Sequence, residues 1–215
     1  DTHIKIFYEF LPVSMQMPNC LIANFSVRSV CETPLTGFHF EVISTSEVKV
    51  LQDPMIVDGY TLPPGGAGNT KSMISIHSVN FPLSLQCVVS YKKEEAGKSS
   101  LPLQLPIPAS LFVSPFEVNP EALSKLVTNL TMSSTSIPSA FSSSPLPLFV
   151  QRMSLILRLC CVSCLINEGR AAFYGRCRVN GAHLCIYIHW QKQILEVYSS
   201  NPRFGEAICS ELGSM

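Results

Sequence analysis

Cys161 and Cys164 form a C-x-x-C within "LRLCCVSCLINEG", a stretch that also contains Cys160. Followed by Cys177 and Cys185, they give the spacing C-x2-C-x12-C-x7-C. Four thiolates at short spacings are what a tetrahedral zinc site needs, and a C-x-x-C is also a redox pair. Zinc knuckles sit on turns, whereas the residues flanking these cysteines are Leu159, Val162, Leu165 and Ile166. The strand pattern described below puts Cys177 and Cys185 on opposite sides of one hairpin, and an i, i+3 pair such as Cys161 and Cys164 diverges across a pleat. The expectation is therefore that these thiols are small apolar core residues and that no metal is bound. A thiol or zinc protein centred on Cys161 and Cys164 is the alternative from another class.

Other chemistry is sparse. "LPPGGAGN" is Gly-rich but lacks the Lys-Ser/Thr and following helix of a phosphate loop. The five histidines, at 3, 39, 77, 183 and 189, are scattered, and neither G-x-S-x-G nor H-E-x-x-H occurs. No catalytic constellation emerges, so the chain reads as a non-enzyme without cofactor. Asn24 and Asn129 match glycosylation triplets, without a secretory signal beside them.

The totals set the frame. The 215 residues suit two domains of about 100 each. Lys plus Arg and Asp plus Glu are balanced at 15 each, and 14% of residues are charged. Net neutrality supplies no field to attract nucleic acid or an anionic membrane. Nine cysteines without regular spacing fit reduced thiols better than a disulfide framework. The chain starts at Asp1 and reads as a piece of a longer protein. "PLPLFVQRMSLILRLCCVSCLI" is apolar enough to be tested as a membrane span, but Arg152 and Arg158 would lie well inside it at about 2.5 to 3.5 kcal/mol each. It reads as a core helix running into a strand.

Up to about residue 110 the apolar pattern has period two. "LSLQCVVSY" places Leu83, Leu85, Cys87 and Val89 on one side, and "LPLQLPI" does the same with Leu101, Leu103, Leu105 and Ile107. "IKIFYEF", "LIANFSV", "FHFEVIS", "VKVLQ" and "SMISIHSV" supply further strands between turn-like breaks at "DGYTLPPGGAGN" and "KKEEAGK". Seven short strands predict an immunoglobulin-like β-sandwich over residues 1–112. Pro102, Pro106 and Pro108 consign the last strand to a sheet edge.

Residues 113–215 predict an α+β domain, an antiparallel sheet with helices on one face. Asn119 and Pro120 open a helix with Leu123, Leu126, Val127 and Leu130 on one stripe. A Ser-rich loop follows, then a helix over about 147–159 with Phe149, Met153, Ile156 and Leu157 facing in. Asn180-Gly181 predicts a two-residue type I′ hairpin in which Cys177 faces Leu184. Its outer face would carry Tyr174, Arg176, Arg178, His183, Cys185, Tyr187 and His189. Two arginines and two tyrosines on one face suit an acidic peptide, so Tyr174, Arg176, Arg178 and Tyr187 are the candidate peptide-binding residues. "NPRFGEAICSEL" closes the chain as a helix capped by Asn201.

This order of parts, with "NCLIANFSVRS", "LPPGGAGNTKSMISIHSV" and "FVSPFEVNPEALSKLVTNLTMSSTSI", resembles the appendage (ear) of an adaptor-protein-complex large subunit, most of all the delta adaptin of the third adaptor complex. The resemblance implies a sandwich followed by a platform. It implies a non-enzymatic module that recruits accessory or cargo proteins through short linear motifs, cytoplasmic and peripheral on endosomal or Golgi-derived vesicles. Membrane association would be indirect, through the parent complex, and no nucleic acid would bind. A variant of this reading has the ear pack on other subunits of its own complex as a regulator. In clathrin-adaptor relatives a Trp on the first platform helix anchors the peptide; the matching position here is Leu126, and the one Trp is Trp190.

Overall fold

The computed structural model describes residues 3–14, 16–54, 60–93, 97–142 and 144–214. It is mostly antiparallel β-sheet with few helices, and it divides into two compact units, residues 1–78 with 83–107 and residues 79–82 with 108–215.

The first unit contains β1 (Ile4–Ser14), β2 (Met17–Ser29), β3 (Leu35–Ile43), β4 (Val48–Gln52), β5 (Tyr60–Leu62), β6 (Ala67–Ile76), β7 (Leu83–Lys93) and β8 (Gly97–Ile107). They form two four-stranded antiparallel sheets, β1-β2-β6-β4 and β5-β3-β7-β8. The period-two pattern is the cause. Along β7 the residues alternate between buried and half-buried, and Leu83, Leu85, Cys87, Val89 and Tyr91 all face the core. The inner faces meet at Phe25 of β2 and Phe40 of β3, whose rings lie 4.5 Å apart. Apolar side chains facing each other from two sheets make this a β-sandwich. The proline-bearing β8 lies at a sheet edge, where a missing N–H leaves no ladder partner unsatisfied. Seven strands were expected and eight are present among the described residues, the additional one being β5, only three residues long. Parts of both expected breaks, at residues 58–59 and 94–96, lie outside the described residues.

The second unit contains β9 (Val113–Pro115), helix α1 (Pro120–Val127), β10 (Thr131–Ser136), α2 (Ser139–Ser142), α3 (Leu146–Leu157), β11 (Cys160–Leu165), β12 (Arg170–Cys177), β13 (His183–His189), β14 (Ile194–Ser199) and α4 (Pro202–Gly213). Five strands run β10-β14-β13-β12-β11 and β9 adds to β12. Phe81 belongs here through its rings' neighbours, Phe112 at 5.8 Å and Phe204 at 5.3 Å. The Asn119 and Asn201 side chains accept the N–H groups of Ala122 and Phe204, capping α1 and α4 ahead of the prolines that open them.

Three sequence expectations need correction here. The helices occupy both faces of the sheet. α1 packs Leu123, Leu126 and Val127 on Ala172, Tyr174 and Cys185. α4 lies on the opposite face, where Gly205 and Gly213 approach the side chains of Ser199 and Thr135. The reason is that both faces of β12 and β13 are apolar enough to need cover: Phe173, Leu184 and Ile186 on one, Ala172 and Cys185 on the other, all buried.

The hairpin loop is also longer than two residues. Arg176 pairs with His183 and Gly175 with Leu184, and the Cys177 N–H donates to the Ala182 carbonyl. Only Gly181 takes a positive φ, +74°, while Asn180 turns its carboxamide to accept the Ala182 N–H. A type I′ turn needs positive φ at both central residues, so a four-residue loop forms instead. The offset is two residues, which leaves every strand residue on its expected face but frees Arg178 from the pleat.

Third, a bulge falls between Cys161 and Ser163 in β11. Cys161 pairs with Phe173 and Cys164 with Ala171, two residues of the same face. The extra residue cancels the expected divergence of this i, i+3 pair. Both cysteines are exposed on this edge strand, so they are not core residues.

Candidate functional site: a groove beside the first helix

The face expected to present tyrosines and arginines is largely roofed by α1. Tyr174 is fully buried beneath Leu123. It supports the surface from below. Its hydroxyl accepts a hydrogen bond from Arg176 Nε at 2.9 Å and lies 2.6 Å from His183 Nδ1. Arginine can only donate. The direction of the Tyr174–His183 bond follows the imidazole tautomer. Burial, and then the Arg176 charge, hold the His183 pKa below its ordinary value of 6.5, so the imidazole stays neutral at neutral pH.

Arg176 is half-buried, its guanidinium 4.0 Å from the Phe116 ring centre and 6.0 Å from that of Tyr174. Phe116 itself is exposed. Arg178 leaves the strand in the hairpin loop, donates its N–H to the Phe112 carbonyl and lays its guanidinium 5.6 Å from the Phe112 ring. The two arginines thus serve different aromatic partners. Tyr187 is half-buried against the α1 cluster with its ring edge-on to Tyr198 at 5.7 Å. The structure joins Tyr174 with Arg176, packs Tyr187 against the same cluster as Tyr174, and takes Arg178 to Phe112.

What remains open on this face is a groove of about 510 Å³ between α1 and the start of β13, lined by Ala122, Lys125, Leu126, Asn129, Leu130, His183 and Ser200. Helical spacing explains the wall: residues 122, 125, 126 and 129 recur every three or four positions and so share one stripe of α1 and its C-terminal turn. The wall combines an aliphatic strip, Ala122, Leu126 and Leu130, with donors from Lys125 and Asn129. On the opposite side the buried Tyr174 holds the His183 imidazole through its Nδ1. Such a surface suits an extended chain bearing one apolar side chain and accepting hydrogen bonds. Sequence periodicity put Leu126 and Leu130 on the buried stripe; both are only partly buried, which leaves them available to a ligand. Lys125, Asn129 and Ser200 were not singled out by the sequence, because a groove is made by juxtaposition of α1 with the β13 and β14 ends.

A second concavity, about 720 Å³, lies on the β1-β2-β6 sheet of the first unit. Phe7, 58% exposed, stands there above Ser26 and Asn69, beside Glu9, Asn24 and Lys71. Asn24 donates to the Glu9 carboxylate at 2.9 Å.

The four-cysteine constellation is not assembled. Cys177 and Cys185 are buried on opposite faces, and burial pushes the Cys185 thiol up to about 12. Burial and then the neighbouring Cys164 raise the Cys161 thiol, so neither shift favours a thiolate.

No protein-family model and no curated protein sequence matches the chain. Among solved structures, the chain is similar to a GAE (gamma-adaptin ear) domain of yeast GGA1, at 23% identity over 49% of this chain and 94% of that one, with a TM-score of 0.40. The GAE domain of GGA2p from Saccharomyces cerevisiae matches 50% of this chain and 92% of its own at 12% identity and a TM-score of 0.38. The cupredoxin domain of amoB from Nitrosocaldus yellowstonii covers 49% and 87% at 12% identity and a TM-score of 0.31. These likenesses carry no functional assignment.

Proposed function

We propose that the chain is a non-enzymatic protein-interaction module, the appendage of an adaptor-complex large subunit of delta-adaptin type, with residues 113–215 as its platform. On this reading it recruits accessory or cargo proteins to endosomal or Golgi-derived carriers by binding short linear motifs. The sequence phrases quoted above support the family. The observation that carries the binding function is the place of Leu126: the position where clathrin-adaptor relatives keep their anchoring Trp lines the groove here, beside Lys125, Asn129 and His183. Leu for Trp shortens the anchor, so the motif should differ from the aromatic one of those relatives and offer an aliphatic side chain.

Affinity capture from cytosol tests this with the wild-type chain and Leu126→Asp, a change at a partly exposed position that leaves the Leu123 anchor of α1 intact. Partners present with wild type and missing with the variant are expected. An identical partner set would remove the groove from the account. Capture of adaptor-complex subunits alone would favour the reading in which the ear packs on its own complex.

A further inference from the structure

The segment first tested as a membrane span has a different property in the folded chain. No helix among the described residues is long and apolar enough to cross a membrane. Yet α3 is apolar on both sides. Its inner stripe, Phe149, Met153 and Leu157, is buried. Its outer side carries Leu148 at 50%, Leu155 at 72% and Ile156 at 45% exposure. Ile156 was expected to face in. α3 packs beside β11, and the bulge there turns Cys161 and Cys164 to the side of the sheet that bears Phe173 and Ala171. Leu165 and Ile166, at the far end of β11, are 50% and 59% exposed. Isolated exposed apolar residues are ordinary; a run of them on one helix and its neighbouring edge strand marks a contact surface.

Charge narrows the partner. No Asp or Glu occurs between Glu121 and Glu168, while Arg152 and Arg158 are both exposed beside the aliphatic residues. The net neutrality of the whole chain therefore conceals a local surface that is apolar and cationic. An amphipathic helix with aliphatic residues outward and arginines beside them is suited to the headgroup–acyl boundary of an anionic bilayer, where it lies in the plane and does not span.

We propose that the outer side of α3, with β11, is a peripheral membrane-contact surface: Leu155 and Ile156 enter the interface of an anionic lipid bilayer and Arg152 and Arg158 pair with its headgroups. The contact would act directly, in addition to any attachment through a parent complex. It is separate from the α1 groove, which lies on the opposite face of the same sheet.

Co-sedimentation of the full chain with vesicles of phosphatidylcholine, with and without phosphatidylserine, tests the proposal. Binding is expected only with phosphatidylserine, weakened by added salt. Arg152→Gln and Arg158→Gln should each weaken it about fivefold, and the double change Leu155→Asp with Ile156→Asp by about tenfold or more. Both side chains are exposed, so circular dichroism should match wild type. Leu126→Asp should bind vesicles as wild type does. No sedimentation with either vesicle, equal binding to both, or retention by the Leu155→Asp/Ile156→Asp variant would overturn the proposal. So would concentration-dependent dimerisation abolished by that variant, which would assign the surface to a second copy of the chain.

Discussion

α1 and α3 cover opposite faces of one sheet, and they differ in what their outer sides leave unexplained. α1 buries Leu123, turns Glu121, Ser124 and Lys125 outward, and keeps Leu126 half in the groove. Folding and one binding wall account for its residues. α3 buries an equally clear stripe and then repeats large aliphatic residues on the side that folding does not use. Exposed aliphatic residues bury little within the fold, and this is what sets the outer side of α3 apart from that of α1. The same sheet thus presents two chemistries: a groove with directed donors on one face, and an aliphatic surface with arginines on the other.

That contrast fixes the order of expected effects. Phe149→Ala, on the buried stripe of α3, should cost about 3 to 5 kcal/mol of stability in urea titration, while Leu155→Ala one and a half turns on should stay within about 0.5 kcal/mol. A comparable loss at both would mean that the outer side is part of the core. Gly175→Ala should come next, at about 1 to 3 kcal/mol, because a Cβ there would meet the Ser114 carbonyl at 2.7 Å and Leu159 Cδ2 at 2.5 Å. Asn119→Ala, which removes the α1 cap, should cost about 1 kcal/mol and loosen the groove wall. Hydrogen exchange of α1 amides is the readout that ties the loss to that helix.

Smallest, and most specific to the groove, is the titration of His183. Its folded pKa lies below the ordinary value, so the unfolded chain binds the proton more readily. Stability from this group is present above about pH 6.5 and declines as pH falls toward the folded pKa. Arg176→Met should move the imidazole titration, followed by NMR, part of the way back toward 6.5, since burial, the larger cause, remains. No movement would mean that Arg176 does not act on His183.

Much of this architecture was legible because it follows from local rules. The alternation of β7, the proline-bearing edge strand β8 and the Asn-Pro openings of α1 and α4 are each set by a few neighbouring residues. Features made by one or two added residues were not legible. The bulge at Cys161–Ser163 reversed the relation of two cysteines, and the four-residue hairpin loop sent Arg178 away from Arg176. Period two cannot register an insertion that a strand absorbs. The outer face of the β12–β13 hairpin holds the expected strand residues without Arg178, and it is a covered face, which was not legible because the Leu123 stripe can cap either face of a sheet. The groove was illegible for the same reason: Lys125 and Ser200 are 75 positions apart, and only their packing brings them together.

Photo-crosslinking tests the central claim most directly. A benzophenone amino acid is placed at position 126, at 155 or at 7 of the otherwise unchanged chain and irradiated in cytosol. Protein adducts from position 126, in the groove, are expected to exceed those from position 7, on the first unit's sheet, and from position 155, on the proposed lipid-contact surface. Adducts confined to position 7 or 155, with none at 126, would contradict it.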